Sequence, residues 1–330
     1  MITNYVGIDV SAQTVSVAWE RPAERAGAAQ SFEQSPAGYE ALTDWLQAQE
    51  SAPPQTQVVL EATGSYWMRV ALSLHEAGYR VSLVNPKQAH HFAKGIGQQA
   101  KTDTLDAQML ARLAASVPLP AWTPLEDGAE SLYQQLVEYE NLGEMQQMLR
   151  NQLHALQQRA TVDEQVVARK QAMLDLIYTQ RKAIHRTLHD TLRSSRWCVA
   201  YRRLCSIPGI GLLSAAWLLV VSRGFTTCDR PQQLASYLGL APHPDQSGTT
   251  RHTHRPLGHC GHARARRVLY QAAVSALRCN PIIQAFYSRL KQAGKHSKVA
   301  LCACARKLVH IAFALVTKGQ MFDPDYHFAA

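Results

Sequence analysis

Short apolar blocks at Tyr5 to Asp9 and Thr14 to Trp19, separated by a polar turn, predict two strands, and Phe32 belongs to a third. Tyr39 to Leu46 then carries the spacing of an amphipathic helix. After Pro53-Pro54 the pattern changes to apolar runs, Val58 to Leu60 and Val81 to Val84, alternating with helical stretches at Tyr66 to Ala77, after Pro86 and after Thr102. Antiparallel strands followed by strand-helix units predict a mixed sheet with helices on its faces.

Beyond Pro118, Pro120 and Pro124 the rhythm becomes purely helical. Leu132, Leu136, Leu142, Met145, Leu149, Leu153 and Leu156 form one stripe. Val166, Leu174, Ile177, Ile184, Leu188 and Leu192 form a second after a break near Thr161, so two long helices are expected, paired with each other or with another subunit. From Leu204 the chain stays helical through Ala263 to Leu277, Ile282 to Lys291 and Val299 to Val316. The stretch from Pro244 to Gly261 has no apolar period and is expected to be a loop. Three parts follow: 1–121, a helical spacer 122–198, and a helical domain 199–330.

With 330 residues, 46% of them hydrophobic and 18% charged, the chain can bury more than one core and is not of the disordered or fibrous class. Its net charge of +9 favours polyanionic partners, nucleic acid first. The seven cysteines, at irregular spacing between Cys198 and Cys304, do not make a secreted disulfide framework. MITNYVGIDV lacks a signal-peptide layout and the longest apolar run, Leu212 to Val221, is half a membrane span, so a cytoplasmic protein without membrane attachment is expected. No P-loop is present, which argues against ATP-driven chemistry.

Candidate chemistry concentrates in carboxylates. Asp9 ends the first strand in GIDVS, Glu61 ends another in EATGSY, and Asp103 and Asp106 in KTDTLDA lie three apart at a helix start, where they share a face. Acids at strand ends and on one helix face can converge to hold two Mg²⁺ or Mn²⁺ ions ~3.5–4 Å apart for phosphoryl transfer. Singly, each has a duller role as a turn residue, a cap or a solvated charge.

Together GIDVSAQTVSVAW, EATGSY, VNPKQAHHFAKG, KTDTLDAQMLA, SIPGIGLLSAAWLL, LASYLGLAPHPDQSGTT and GHARARRVLY resemble, in order, the DEDD-type insertion-sequence transposases, a family that includes the pilin-gene invertase and bridge-RNA-guided recombinases. The resemblance implies a ribonuclease H-like (RuvC-like) N-terminal domain with metal ligands Asp9, Glu61, Asp103 and Asp106, a coiled-coil spacer, and a helical transposase domain in which Ser247 attacks DNA. Ser247 of one protomer would meet the metal site of another, in a dimer or tetramer. A guide RNA from the element would specify donor and target double-stranded DNA by base pairing. From the residues alone, Ser247 is a Ser-Gly turn position.

SIPGIG resembles the turn of a helix-hairpin-helix unit, so Gly209 and Gly211 are candidate phosphate contacts; a plain glycine turn is the alternative. Arg251, Arg255, Arg264, Arg266, Arg267 and Lys298 are candidate nucleic-acid contacts, with Lys291, Lys295, Arg306 and Lys307 nearby; a solvated helix face would look alike. His90, His91 and Lys94 could touch nucleic acid beside the acids. His252, His254, His259, Cys260 and His262 lack two ligand pairs of zinc-site spacing. Cys302 and Cys304, two apart in a helical run, read as small buried residues. Two rivals remain: a structure-specific nuclease using water, and a non-enzymatic nucleic-acid scaffold.

Overall fold

The computed structural model describes residues 2–21, 29–98, 100, 102–247, 251–255 and 261–325; of 127, 243–247 and 251–255 only the backbone is discussed. The chain divides into two compact units, Met1–Pro124 and Leu125–Ala330.

The first unit is built on a five-stranded mixed sheet. Strands β1 (Asn4–Val10), β2 (Thr14–Glu20) and β3 (Gln30–Glu33) form an antiparallel meander, while β4 (Thr56–Glu61) and β5 (Arg80–Val84) run parallel to β1. The spatial order is β3-β2-β1-β4-β5. Parallel strands need crossovers, supplied after β4 by α2 (Trp67–Glu76). Helix α1 (Pro36–Ala48) starts at Ser35, whose hydroxyl accepts the Gly38 N–H, with Pro36 at its first position.

Alternation divides the sheet's side chains between two cores. Val6, Ile8, Val58 and Leu60 face Leu42, Leu46, Val70 and Leu74 of α1 and α2. The opposite face carries Tyr5, Gly7 and Asp9 on β1 and Val59 and Glu61 on β4 by strict period two. That face packs α3 (Pro86–Gly95) and α4 (Asp103–Ser116) through Val59, Val84, Ala89, Met109, Leu110 and Leu113.

Gly7 sets how closely α4 approaches. A Cβ built there would lie 2.0 Å from the Ala107 carbonyl oxygen, 2.4 Å from the Ala111 nitrogen and 2.9 Å from the Leu110 Cβ. Backbone therefore meets backbone, and no side chain larger than hydrogen fits.

The second unit is helical. Helices α5 (Asp127–Gln157) and α6 (Glu164–Ser194) pair antiparallel: Lys170 donates to Gln152 at 2.7 Å and Arg181 to Gln146 at 2.6 Å, around Leu149, Leu174 and Ile177. Leu132 and Leu136 of α5 and Leu188 and Leu192 of α6 enter one core with α7 (Cys198–Cys205), α8 (Leu212–Val221), α9 (Pro231–Tyr237), α10 (Ala263–Cys279), α11 (Pro281–Gln292) and α12 (Ser297–Lys318). The stripes read from sequence thus continue a globular core at one end of the helical hairpin.

One expectation needs correction. The stretch from Pro244 to Gly261 is not simply a loop, because β6 (His243–Ser247) and β7 (Arg251–Arg255) pair antiparallel with Ser247 opposite Arg251. HPDQS and RHTHR are polar at nearly every position, so the ribbon offers no alternation to detect. Residues 248–250 and 256–260 of that stretch lie outside the described ones. Leu212 to Val221 forms a short apolar helix, and among the described residues α12 alone is long and apolar enough to cross a membrane. Arg306 and Lys307 interrupt its apolar run and hide it from a simple scan. Cys304, Leu308, Val309, Ile311 and Ala312 are buried in the second unit, so α12 serves as a core helix.

Gly7→Val is expected to destabilise the first unit by ~2–4 kcal/mol through overpacking, lowering its thermal unfolding midpoint by ~10 °C. Circular dichroism melting checks this; an unchanged midpoint would mean that α4 does not rest on β1.

Candidate active site

The parallel register pairs Ile8 with Leu60, so the next residues, Asp9 and Glu61, stand side by side at the carboxyl ends of neighbouring strands. Both lie on the face covered by α4. In that helix Ala107 and Ala111 sit over Gly7, which brings the first turn, with Asp103 and Asp106, toward the strand ends. Thr102 caps the helix, its hydroxyl accepting the Leu105 N–H at 3.2 Å. Four acids from three distant stretches thus meet at one corner of the sheet.

Their mutual influence is electrostatic. The Asp9 carboxyl is raised from 3.8 to about 6, first by burial and then by the charges of Asp106, Asp103 and Glu61. Neighbours hold two of these acids: Thr63 donates its hydroxyl to Glu61, and the Gln98 amide donates to Asp106 at 3.2 Å and to the Ala100 carbonyl at 3.3 Å. Gly64, at φ +64°, turns the chain immediately after β4. Among the described residues no three His, Cys, Asp or Glu side chains stand at ligating distance from a common point. The cluster is a convergence of charge rather than a closed coordination cage.

The remaining candidates lie in the second unit. Ser247 ends β6. Arg251 and Arg255 bound β7. Gly209, at φ +100°, is pressed against α10: a Cβ there would lie 2.5 Å from the Ala276 Cβ and 2.7 Å from its Cα. Gly211 caps α8, and its N–H already donates to the Ser214 hydroxyl at 3.0 Å. Packing and capping thus account for both glycines of the turn. Arg264 pairs with Glu140 at 3.0 Å and Arg267 with Glu144 at 2.6 Å, which turns these two cations toward acids of α5. Arg266 is partly buried and Lys298 exposed near the start of α12. His90, His91 and Lys94 are exposed on α3.

Of the histidine-rich stretch, His262 has a defined structural role. Its Nδ1 accepts the Ala265 N–H at 3.2 Å, capping α10, and its ring lies 5.1 Å from that of Trp217. Burial lowers its pKa, consistent with a neutral acceptor. His259 and Cys260 lie outside the described residues. Cys304 is buried, which pushes its thiol up to about 11, as for an inert core residue; Cys302 is half-buried.

Sequence reasoning missed Gln98, Thr63 and Asn280. Asn280 is fully buried between α10 and α11: its Oδ1 accepts the Ile283 N–H, and its amide donates to the Pro208 carbonyl at 3.1 Å, tying down the glycine turn. The Asn-Pro pair at 280–281 was a readable helix-start signal. Nothing in the sequence pattern singled out Gln98.

Asp106→Asn removes the largest neighbouring charge acting on Asp9. The Asp9 titration midpoint is expected to move down from about 6 toward 3.8, followed through its carboxyl carbon by NMR. An unmoved midpoint would exclude Asp106 as a cause and leave burial with the charges of Asp103 and Glu61.

Comparison with known proteins fits this arrangement. The DEDD IS110 family model, described as Transposase, matches residues 6–161, which hold all four acids. A second, described as Transposase IS116/IS110/IS902 family, matches residues 201–288, which hold the glycine turn and Ser247. The chain is 29% identical to the pilin gene-inverting protein of Moraxella lacunata over 99% of its own length and 100% of that protein. It is 30% identical over 159 residues to an uncharacterized 43.6 kDa protein of insertion element IS110 from Streptomyces coelicolor, covering 48% of this chain and 38% of that one. It is 23% identical to the transposase for insertion sequence element IS1328 of Yersinia enterocolitica, covering 86% and 89%. With both units matched in chain order and one relative aligned end to end, the chain belongs to the IS110 family of transposases and is a DNA recombinase.

Proposed function

We propose that this recombinase cuts and rejoins donor and target DNA of an insertion sequence with a Mg²⁺- or Mn²⁺-dependent four-carboxylate site and a serine nucleophile, Ser247. The observation that carries the reading is the register of β1 and β4 under α4, which assembles Asp9, Glu61, Asp103 and Asp106 at one corner. An all-oxygen donor set suits a hard divalent cation. Such an ion, when bound, would offset the clustered negative charge and polarise phosphate oxygens. Asp9, Glu61, Asp103 and Asp106 would hold it, with Thr63 and Gln98 orienting Glu61 and Asp106.

Transesterification then balances without a cofactor change. The Ser247 hydroxyl attacks the phosphorus, an Oγ–P bond forms, the P–O3′ bond breaks, and the released 3′ oxygen takes a proton. A 3′ hydroxyl from the partner duplex attacks the same phosphorus in return, restoring the serine and joining the strands. The phosphodiester is conserved at each step, so no ATP is required.

Further parts of the reading rest on the family resemblance. The sheet order β3-β2-β1-β4-β5, with its antiparallel meander and parallel β4 and β5, supports a ribonuclease H-like, RuvC-like unit. The α5–α6 pair supports a coiled-coil role; a helix-hairpin-helix contact of the SIPGIG turn to phosphate rests on the resemblance of its sequence alone. A guide RNA would choose the DNA sites, and a dimer or tetramer would bring Ser247 to the carboxylates.

Ser247→Ala is expected to abolish the covalent protein-DNA adduct and strand joining while leaving Mn²⁺ binding unchanged by calorimetry. Asp9→Asn is expected to weaken Mn²⁺ binding at least tenfold and to abolish cleavage. Continued cutting by the Ser247→Ala protein would favour a nuclease that uses water; Mn²⁺ binding indifferent to Asp9→Asn would remove the metal site from the proposal.

A further inference from the structure

Midway along the helical hairpin, Tyr139 of α5 and Tyr178, Arg181, Lys182, His185 and Arg186 of α6 line an open groove of about 310 Å³. The α6 residues recur at the three-and-four spacing of one helix face, so they share one stripe. No acid occurs in α6 between Asp175 and Asp190. Those two are engaged elsewhere, Asp175 with Gln171 at 3.0 Å and Asp190 with His189 at 3.3 Å. The groove is cationic and aromatic: Arg181 and Tyr139 tie α6 to α5, whereas Tyr178, Lys182 and Arg186 are exposed beside them.

Its centre is fixed in advance. The Arg181 guanidinium lies over the Tyr139 ring at 4.3 Å and donates to Gln146 at 2.6 Å. It also lies against Gly143, where a Cβ would come within 3.4 Å of its Cζ. Its Nε–H has no acceptor. Beside this pinned cation the Tyr178 ring is 59% exposed, a large aromatic face left to water. Lys182 and Arg186 are exposed one and two steps of four residues further on. Each such step advances ~6 Å along the helix, close to one nucleotide of an extended strand.

We infer that this groove binds an unpaired segment of the DNA substrate, with Tyr178 stacking a base and Lys182 and Arg186 meeting the flanking phosphates. An exposed aromatic ring flanked by cations is the chemistry of single-strand recognition, because stacking needs a base freed from its duplex. Paired DNA would offer the cations phosphates but would give Tyr178 nothing to stack on. DNA is preferred as occupant because the family acts on DNA, and strand exchange must expose unpaired stretches of it. The groove is independent of the carboxylate reading, since none of its residues lies in the first unit.

The test uses the full-length protein and fluorescence anisotropy with a labelled twelve-nucleotide single-stranded DNA, the matching duplex and the matching RNA. Tyr178→Ala is expected to weaken single-strand binding ~5–50-fold, with duplex affinity within twofold of the parent. Tyr178→Phe retains the ring and should bind as the parent does. Lys182→Ala combined with Arg186→Ala should reduce the slope of log affinity against log salt by ~1–2. The titrations are run in EDTA, without divalent cation, which separates failure of the groove from failure of the metal site. All of the substituted positions are surface ones, and matching melting curves establish that each variant folds. The inference is overturned by a Tyr178→Ala protein that binds the single strand normally, by equal loss on duplex, or by RNA binding at least tenfold tighter than DNA.

Discussion

The closeness of α4 to β1 is the constraint on which the N-terminal unit depends. At Gly7 helix backbone touches strand backbone, and that contact places the Asp103–Asp106 turn above the ends of β1 and β4. A glycine in a strand interior costs conformational entropy and gives up a packing side chain. Here those losses are offset by the burial around it of Met109, Leu110 and Leu113 against Val59 and Val84. The parity of the strands does the rest: with Val6 and Ile8 facing one core, Asp9 must face α4. Moving β1 by one residue would send Asp9 into the apolar layer and Ile8 to the acids.

The second unit shows why a basic sequence is not the same as a basic surface. Arg264 and Arg267 are spent on Glu140 and Glu144, fastening α10 to α5 across the helical core. These are partly exposed pairs, so their contribution to stability is modest, but they orient the two cations toward α5. Arg181, Lys182 and Arg186 carry the reverse lesson. They sit in a segment that reads as a plain spacer, and only the packing of α5 on α6 shows that they surround the half-buried Tyr139 and the exposed Tyr178.

Much of this was legible in the chain itself, for stated physical reasons. Strands β1, β2, β4 and β5 announce themselves as short apolar runs because the sheet is covered on both faces, and the long helices by the period of the one face each buries. The acids stand out as candidates because strand ends and a capped helix start are readable positions. What stayed hidden lacked a periodic signal. The β6–β7 ribbon is polar throughout, and the close approach of Gly209 to Ala276 joins residues far apart in the chain. The register that makes Asp9 the neighbour of Glu61 is a tertiary fact. No local pattern encodes it.

Assembling acids in this way has a thermodynamic consequence. Because the folded state raises the Asp9 carboxyl to about 6 from 3.8, it binds more protons than the unfolded chain between those values. Stability of the unit contributed by that proton is therefore full below the unfolded value and lost as pH rises through about 6. At neutral pH the fold holds like charges together against their repulsion, and the energy for doing so comes from apolar contacts elsewhere in the same unit. The packing of α4 on β1 is thus what crowds like charge around Asp9, and the apolar layers on either side of the sheet are what offset it.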